Sequence, residues 1–233
     1  MNEQLKKSTP LPDCPAGKKD CDIITEVVEL RRDLAELSDQ VRTDTLTGIA
    51  NYRGFLHALE QEIERTQRSN QPTSLIMLDI DFFKKVNDCW GHEIGNRALV
   101  HVARLIVQTV RKLDIPCRYG GEEFSIILPD TDLRASIPVA ERIRRVIEAT
   151  PLPVAQQTLH LTASLGIATY TNNQAITPEE LIQQADFYLY RAKENGRNQV
   201  CSAEPPELDA VSIEEKQALS KLFGGASKTK ESS

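Results

Sequence analysis

The sequence lacks a long apolar run. Its most apolar stretches, such as Leu75–Leu78 and Phe124–Leu128, are far shorter than the roughly 18–20 residues that a membrane-spanning helix needs. The first residues, MNEQLKKSTPLPDCP, contain no apolar stretch of signal-peptide length. We therefore expect a cytoplasmic protein with no membrane partner.

Paired cysteines and an excess of basic charge are lacking as well. The five cysteines are scattered and include no Cys-x-x-Cys pair, which indicates reduced thiols. Cys14 and Cys21 have no histidine near them, so a metal site there is disfavoured. The formal net charge of -6 at pH 7 argues against a nucleic-acid partner but allows a local basic pocket for a phosphorylated small molecule.

Apolar residues at heptad spacing precede the main domain. Residues 1–20 have a composition typical of disorder. The apolar residues then follow at alternating steps of four and three, at Ile23, Val27, Leu30, Leu34, Leu37 and Val41. This seam predicts a helical stalk over 21–43, which either forms a parallel two-stranded coiled coil or binds a partner. Because so few heptads are marginal alone, an amphipathic helix packed on its own domain is the alternative.

Elements of alternating type follow between residues 44 and 202. Apolar spacing predicts helices over 51–68, 82–90, 94–112, 133–149 and 178–195. It predicts strands over 74–79, on both sides of Gly120-Gly121, and over 159–169. This order favours an α+β fold in which helices flank a central, mostly antiparallel sheet. Residues 203–233 are predicted to form a linker, a short helix with a Ser212–Glu215 capping box, and a disordered tail.

Carboxylates stand at the ends of two predicted strands. Asp79-Ile80-Asp81 follows the apolar run LIML. Gly120-Gly121 predicts a tight hairpin with both glycines at positive φ, and its tip lies beside Glu122. Oxygen ligands of this kind suit Mg²⁺. Either cluster alone is more often a solvated turn, so the metal hypothesis depends on the two being close together.

Cationic and amide side chains accompany these carboxylates. Lys84 follows the aspartates by about one helical turn, and Lys193 and Arg197 flank a glycine just beyond the last predicted helix. These cations suit a triphosphate. Asn87, His92 and Asn96 offer polar edges to a base. Individually these residues are ordinary surface charges, helix breakers or helix ends, and only their combination indicates a nucleotide site.

Six ordered motifs resemble one family. They are DTLTGIANYRGF at 44–55, LDIDFFKKVND at 78–88, WGHEIGN at 90–96, RYGGEEF at 118–124, SLGIA at 164–168 and ADFYLYRAKENGRN at 185–198. Together they closely resemble the GGDEF family of diguanylate cyclases over about residues 44–202. The resemblance implies a palm-like nucleotide-cyclase fold in which two domains, each holding one GTP, meet face to face. The implied reaction makes cyclic di-GMP and two pyrophosphates.

The resemblance also implies roles for individual residues. Mg²⁺, two ions per active site with Mn²⁺ as a substitute, would be held by Asp79, the Ile80 carbonyl and Glu122, with Glu123 in support. One of the two glutamates, Glu122 in preference to Glu123, would help to deprotonate the attacking hydroxyl, and Lys84 would stabilise transition-state charge. The remaining implied GTP-binding residues are Phe83, Asn87, His92 and Asn96 on the base side and Lys193 and Arg197 on the phosphate side.

One position departs from the family pattern, and a second site is implied. An aspartate is common where Asn96 stands, and a carboxylate can accept from both guanine N–H groups whereas an amide cannot. We therefore expect weaker GTP binding rather than a changed substrate. Arg111 and Asp114 match the family's Arg-x-x-Asp inhibitory site, with Arg142 as a second arginine, which implies product inhibition by cyclic di-GMP.

Three functional hypotheses remain from the sequence. An active cyclase is favoured because the acidic residues and cations of the motifs are present. A catalytically inactive GGDEF domain that binds cyclic di-GMP or GTP is the main alternative, and a coiled-coil adaptor would explain only the stalk. The layout is also similar to cyclases of Sia-type modules, which implies an activator protein on the stalk and a homodimer joined through stalk and domains.

Overall fold

A computed structural model of the protein describes residues 26–33, 42–172 and 176–204. Residues 26–33 form helix α1, which contains Val27 and Leu30 of the heptad seam. The other seam residues, the predicted disorder of 1–20 and the Ser212–Glu215 capping box lie outside the described residues. None of the helices in the described ranges has the length and apolar character needed to cross a membrane.

A mixed α+β domain follows, as the alternation of patterns predicted. A five-stranded sheet has the order β2-β3-β1-β6-β7, and β4 and β5 form a separate two-stranded sheet. Only β6 and β7 pair in parallel within the described part, so the expected mostly antiparallel sheet is confirmed. The elements are α2 (Tyr52–Ser69), β1 (Thr73–Ile80), α3 (Phe83–Thr109), β2 (Ile115–Arg118), β3 (Glu123–Leu128), α4 (Leu133–Ala149), β4 (Leu152–Val154), β5 (Gln157–Leu159), β6 (Ala163–Tyr170), α5 (Pro178–Glu194) and β7 (Val200–Ser202).

Helices cover both faces of the five-stranded sheet. Every residue of the central strand β1 is buried, as expected for a strand packed on both sides. Ile76 and Leu78 point into a core shared with α3 and α4. Leu75 and Met77 point into a second core shared with α2 and α5. Asp79 continues the Leu75 and Met77 series, so its side chain belongs to the α5 face of the sheet.

Two glycines shape the helices around the site. Gly91 has φ 79° and ψ 162° and breaks α3 into two helical segments, which agrees with the two helices predicted over 82–90 and 94–112. Gly166 on β6 lies so close to α5 that a Cβ atom there would meet the backbone of Ala185 and Leu189. A glycine in the SLGIA motif therefore lets α5 approach the sheet.

The predicted Gly120-Gly121 hairpin was wrong in its geometry. Neither glycine is among the positive-φ residues of the described chain, and the loop spans four residues between β2 and β3. The Tyr119 and Gly120 amides both donate to the Glu123 carbonyl, and Arg118 donates to the Gly121 carbonyl at 2.8 Å. Because these bonds close the loop, it needs no two-residue turn.

Two other boundaries differ from the prediction. The strand expected over 159–169 is divided between β5 and β6, because the chain leaves one sheet and enters the other. The short parallel strand β7 has no hydrophobic alternation of its own, since all three of its residues are only half-buried. It forms by pairing with β6.

Candidate functional site

Asp79 lies at the end of β1 and meets a cation from α5. Its carboxylate Oδ2 is 2.8 Å from the Lys193 Nζ atom, and the residue is only 7% exposed. Burial raises the pKa of Asp79, while the bond and charge of Lys193 act in the opposite direction and the charge of Asp81 adds to the rise. Strand β1 and helix α5, which are distant in sequence, thus place a carboxylate and an ammonium group side by side.

Glu122 and Glu123 reach this strand end through β3. Asp79 pairs directly with Glu123, and the Ile80 amide donates to the Glu122 carbonyl at 3.4 Å. Burial raises the pKa of Glu122, and the negative charge of Asp79 raises it further. The Glu123 carboxylate lies against Gly120, where a Cβ atom would meet it. The Glu123 carboxylate therefore packs against its own loop.

Asp81 is a structural carboxylate in this arrangement. It is 6% exposed and accepts hydrogen bonds from the Thr162 and Ser164 hydroxyls at 2.7 Å each. The Asn198 amide donates to it at 3.0 Å. These donors fix the chain directly after Asp79 and leave Asp79 as the aspartate that faces Lys193.

Arg197 lies close to Lys193, because its Nη1 atom donates to the Lys193 carbonyl at 3.3 Å. Its positive charge acts on the carboxylate of Asp79, and its guanidinium lies over the Phe82 ring, 4.6 Å from the centroid. Phe82 has φ 56° and ψ 29° at the start of α3 and is 52% exposed. The ammonium of Lys85 lies 4.5 Å from the same ring centroid. Phe82 is therefore an exposed aromatic side chain within cation–π distance of two cations.

The predicted base-side residues lie along α3. Phe83 is 4% exposed and belongs to the core that α3 shares with the sheet. Asn87 packs against Gly95, where a Cβ atom would collide with the Asn87 amide oxygen, so the break at Gly91 brings the two helical segments together. Lys84, His92 and Asn96 are exposed. Asn96 lines an open groove of about 390 Å³ with Glu93, Val100 and His101.

The carboxylates fit a divalent cation that is bound together with a substrate. Within the described ranges, no three His, Cys, Asp or Glu side chains form a complete metal cage. The negative charge of Asp79 nevertheless adds to the burial that raises the pKa of Glu122, so a cation bound between them would favour the ionised form of Glu122. Mg²⁺ commonly uses one or two carboxylates and takes its other ligands from water and phosphate. The donor set therefore suits Mg²⁺ held jointly with a nucleotide.

The predicted inhibitory residues come together away from the strand end. The Arg111 amide donates to the Asp114 carboxylate at 2.7 Å, and Arg142 of α4 donates to the Thr109 carbonyl at 3.0 Å. The pKa of Asp114 is raised, because the effect of burial exceeds the opposing effects of the Arg111 amide and of the Arg111 and Arg142 charges. Two arginines and one carboxylate therefore form a single cluster beside α4.

Sequence reasoning missed residues that act through tertiary contacts. Phe82 and Asn198 both stood inside quoted motifs, but no spacing rule identifies a ring that stacks on a distant arginine or an amide that binds another helix. Asp44 and Arg118 were also missed, and their ion pair of 3.2 Å joins segments 74 residues apart. Their opposite charges are the only feature of the sequence that points to this ion pair, and many other surface residues carry the same charges.

The fold and the site are of a kind that suits phosphoryl transfer. Carboxylates at a strand end stand beside cations, on a mostly antiparallel sheet covered by helices, and phosphoryl-transfer sites typically combine such groups. The chain belongs to the GGDEF family, because the family model described as "Diguanylate cyclase, GGDEF domain" matches residues 41–199, which is more than half of the chain.

Three known proteins show the likeness in detail. The response regulator PleD of Caulobacter vibrioides is 42% identical over 173 residues, which is 73% of this chain and 38% of PleD. The crystal structure of the diguanylate cyclase SiaD of Pseudomonas aeruginosa in complex with its activator SiaC is 39% identical, with a TM-score of 0.67 over 78% of this chain and 69% of that one. The crystal structure of the coiled coil and GGDEF domain of DgcB from Caulobacter crescentus in complex with c-di-GMP is 30% identical in sequence. Its TM-score is 0.66, and the match covers 78% of this chain and 96% of that one.

Proposed function

We propose that this chain is an active diguanylate cyclase that condenses two GTP molecules into cyclic di-GMP. The observation that carries the proposal is the meeting of Asp79, Glu122, Lys193 and Arg197 at one strand end. These acids and cations are the groups that both binding a triphosphate and turning it over would need. Because the chain spans only 38% of the length of PleD, the activity is inferred for this domain and its site.

The proposed reaction forms two phosphodiester bonds. The 3′-hydroxyl oxygen of each GTP attacks the α-phosphorus of the other, and the bond from that phosphorus to the β-phosphate bridging oxygen breaks. Each step releases one pyrophosphate and one proton, so two GTP molecules give one cyclic di-GMP and two pyrophosphates. One domain holds one GTP, so two copies of the domain must meet.

The residues of this chain position and neutralise the triphosphate. Lys193 and Arg197 bind its phosphates, and Lys84 adds charge from the first turn of α3. Glu122 accepts the hydroxyl proton, for which its raised pKa is favourable. Phosphoryl transfer depends mainly on such positioning and charge neutralisation.

Magnesium is the proposed cofactor, with two ions per site and Mn²⁺ as a substitute. Asp79, the Ile80 carbonyl and Glu122 would hold it, with Glu123 supporting from the adjacent position. A bound divalent ion supplies charge neutralisation at the α-phosphate and lowers the pKa of the hydroxyl. The negative charge of Asp79 acting on Glu122 supports this assignment.

Product identification tests the proposal. Purified protein is incubated with GTP and Mg²⁺, and the product is identified by mass. We expect cyclic di-GMP and pyrophosphate in a ratio of one to two, and neither in the presence of a chelator. Retained GTP or cyclic di-GMP binding without turnover would instead support the inactive receptor.

Asn96 provides a test of base recognition. Because an amide offers one acceptor where a carboxylate offers two, Asn96→Asp should lower the KM for GTP by about threefold to tenfold. The kcat should change little, since the base lies away from the reacting atoms. Turnover of ATP at the same rate as GTP by the parent protein would contradict guanine selectivity.

We also propose a homodimer in the cytoplasm, with an activator protein on the stalk. The heptad seam over 21–43 supports pairing or partner binding. SiaD, which resembles this chain, has been solved with its activator SiaC. Comparing turnover with and without residues 1–41, at several protein concentrations, tests whether the stalk raises the rate by bringing two domains together.

A further inference from the structure

The loop after α5 adopts an unusual backbone conformation. Gly196, Arg197 and Asn198 have φ values of 108°, 65° and 46°, so three consecutive residues lie in the left-handed region. This region is unfavourable for side chains other than glycine, although asparagine tolerates it better than most. Contacts elsewhere must therefore hold the loop in place.

The Arg197 amide donates back to the Ala192 carbonyl at 3.0 Å, and Asn198 ties the loop to a second helix through both ends of its side-chain amide. Its Oδ1 atom accepts a hydrogen bond from Arg144 Nη1 at 2.9 Å, and its Nδ2 atom donates to Glu148 Oε1 at 2.8 Å. Arg144 also donates to Glu148 Oε2 at 2.9 Å. The three side chains close a ring of hydrogen bonds that ties the loop to α4.

The backbone of Asn198 makes a second connection. Its amide donates to Asp81 Oδ2 at 3.0 Å, and Asp81 is two residues from Asp79. Arg197 precedes Asn198 directly, and the Arg197 guanidinium lies over Phe82. Asn198 therefore touches both sides of the site, the acidic strand end and the arginine proposed to bind phosphate.

We propose that Asn198, held by Arg144 and Glu148, is a positioning residue that fixes Arg197 for the triphosphate. This inference rests on the proposed GTP-dependent activity. Only an amide meets all the requirements of the ring: aspartate would lose the donor to Glu148 and add a like charge, and glycine would keep the backbone conformation but lose both bonds.

Substitutions on both sides of the ring test the proposal. Asn198→Gly, Asn198→Asp and Arg144→Ala should each raise the KM for GTP by about tenfold, with a smaller change in kcat. Arg145→Ala is the matched control, because Arg144 and Arg145 both approach the Glu141 carboxylate, at 3.1 and 3.5 Å. The side chain of Arg145, however, is 73% exposed. Its KM should stay within about twofold of the parent value.

A double-mutant cycle separates positioning from a general loss of structure. If Asn198 acts through Arg197, Asn198→Gly should change the KM by less than about twofold in an Arg197→Ala background. Effects that multiply, or a parent-like KM in both Asn198→Gly and Arg144→Ala, would overturn the proposal. If Asn198→Gly fails to fold, Arg144→Ala in the same two backgrounds gives the same readout from outside the loop.

The parent protein distinguishes this inference from the proposed function. Absence of cyclic di-GMP from the parent overturns the activity itself. An active parent with unaffected Asn198 and Arg144 variants overturns only the positioning role.

Discussion

At the scale of single residues, the site places carboxylates close together at one strand end. Asp79 is buried and bonded to Lys193, and the charge of Asp79 adds to the burial that raises the pKa of Glu122. A site optimised only for stability would not place these carboxylates together. The arrangement is instead suited to cations that arrive with a substrate.

Glu122→Gln should separate catalysis from folding. Removing this carboxylate removes the proposed proton acceptor and a metal ligand, so cyclic di-GMP synthesis should fall by at least about a hundredfold. In a chelator, the melting temperature should stay level or rise by about 1–4 °C, because a repulsive charge is lost. A variant that keeps the parent rate would contradict the role of Glu122.

The raised pKa values predict a pH-dependent response to Mg²⁺. In the folded protein, the pKa values of Asp79 and Glu122 lie above their ordinary values of 3.8 and 4.5. Their contribution to the free energy of unfolding therefore falls as pH rises from those values through the folded-state pKa values. Magnesium needs the ionised forms, so its stabilising effect should grow over the same range.

Thermal melting with and without Mg²⁺ measures this response. The increase in melting temperature should be larger at about pH 8 than at about pH 5, and it should be absent in Asp79→Asn. An equal increase at both pH values would show that the ion binds elsewhere.

Some residues of the site could be predicted from the sequence, because their position in a local pattern is enough to mark them as candidates. Asp79 follows a run of buried residues, and Lys193 lies near the end of a helix with clear apolar spacing. Phe82 and Asn198 were not predictable, because their roles depend on contacts with Arg197 and α4 that no local pattern encodes.

At the scale of elements, Arg118 joins the segment after residue 42 to the loop of the candidate site. Its guanidinium reaches the Asp44 carboxylate at 3.2 Å and the Gly121 carbonyl at 2.8 Å. Burial would raise the pKa of Asp44, but hydrogen bonds from Thr47 and the charge and bond of Arg118 outweigh it and lower the pKa. One side chain thus holds the loop that carries Glu122.

Arg118→Lys should break this connection, because a single ammonium cannot replace a planar group that bonds in two directions. We expect the free energy of unfolding to fall by about 2 kcal/mol, since both partners are less than a fifth exposed. Arg65→Lys is the control, because its pair with Asp130 has a length of 2.8 Å but is more than two-fifths exposed, and it should cost under about 1 kcal/mol. If urea denaturation shows the same decrease in the free energy of unfolding for Arg118→Lys and Arg65→Lys, the proposed importance of the Arg118 connection is wrong.

The same contacts explain why the elements were predicted better than their ends. Apolar periodicity identified α2, α3, α4 and α5 because each buries one face. The loop at Gly120-Gly121 was wrong because its geometry is set by the Arg118 side chain and by the Glu123 carbonyl, which a turn rule based on two glycines does not include.

At the scale of the whole molecule, one domain supplies half of the proposed reaction. The Arg111, Asp114 and Arg142 cluster joins the turn after α3 to α4, and we propose that it binds cyclic di-GMP and slows the enzyme. Two arginines beside a carboxylate suit a ligand with phosphates and guanine N–H groups.

Arg111→Ala should relieve product inhibition. Initial rates measured with added cyclic di-GMP should show an inhibition constant at least about tenfold higher than that of the parent. Lys112→Ala is the control, because Lys112 is the adjacent exposed cation and should leave inhibition unchanged. Identical rates for Arg111→Ala and the parent at high product would contradict the assignment.

The central claim is that the acids and cations at this strand end make cyclic di-GMP. The most direct measurement is mass identification of the product formed from GTP and Mg²⁺ by the parent and by Glu122→Gln, with both proteins shown to be folded by thermal melting. We predict cyclic di-GMP from the parent and at least about a hundredfold less from the variant. No cyclic di-GMP from the folded parent, or equal amounts from both proteins, would contradict the account.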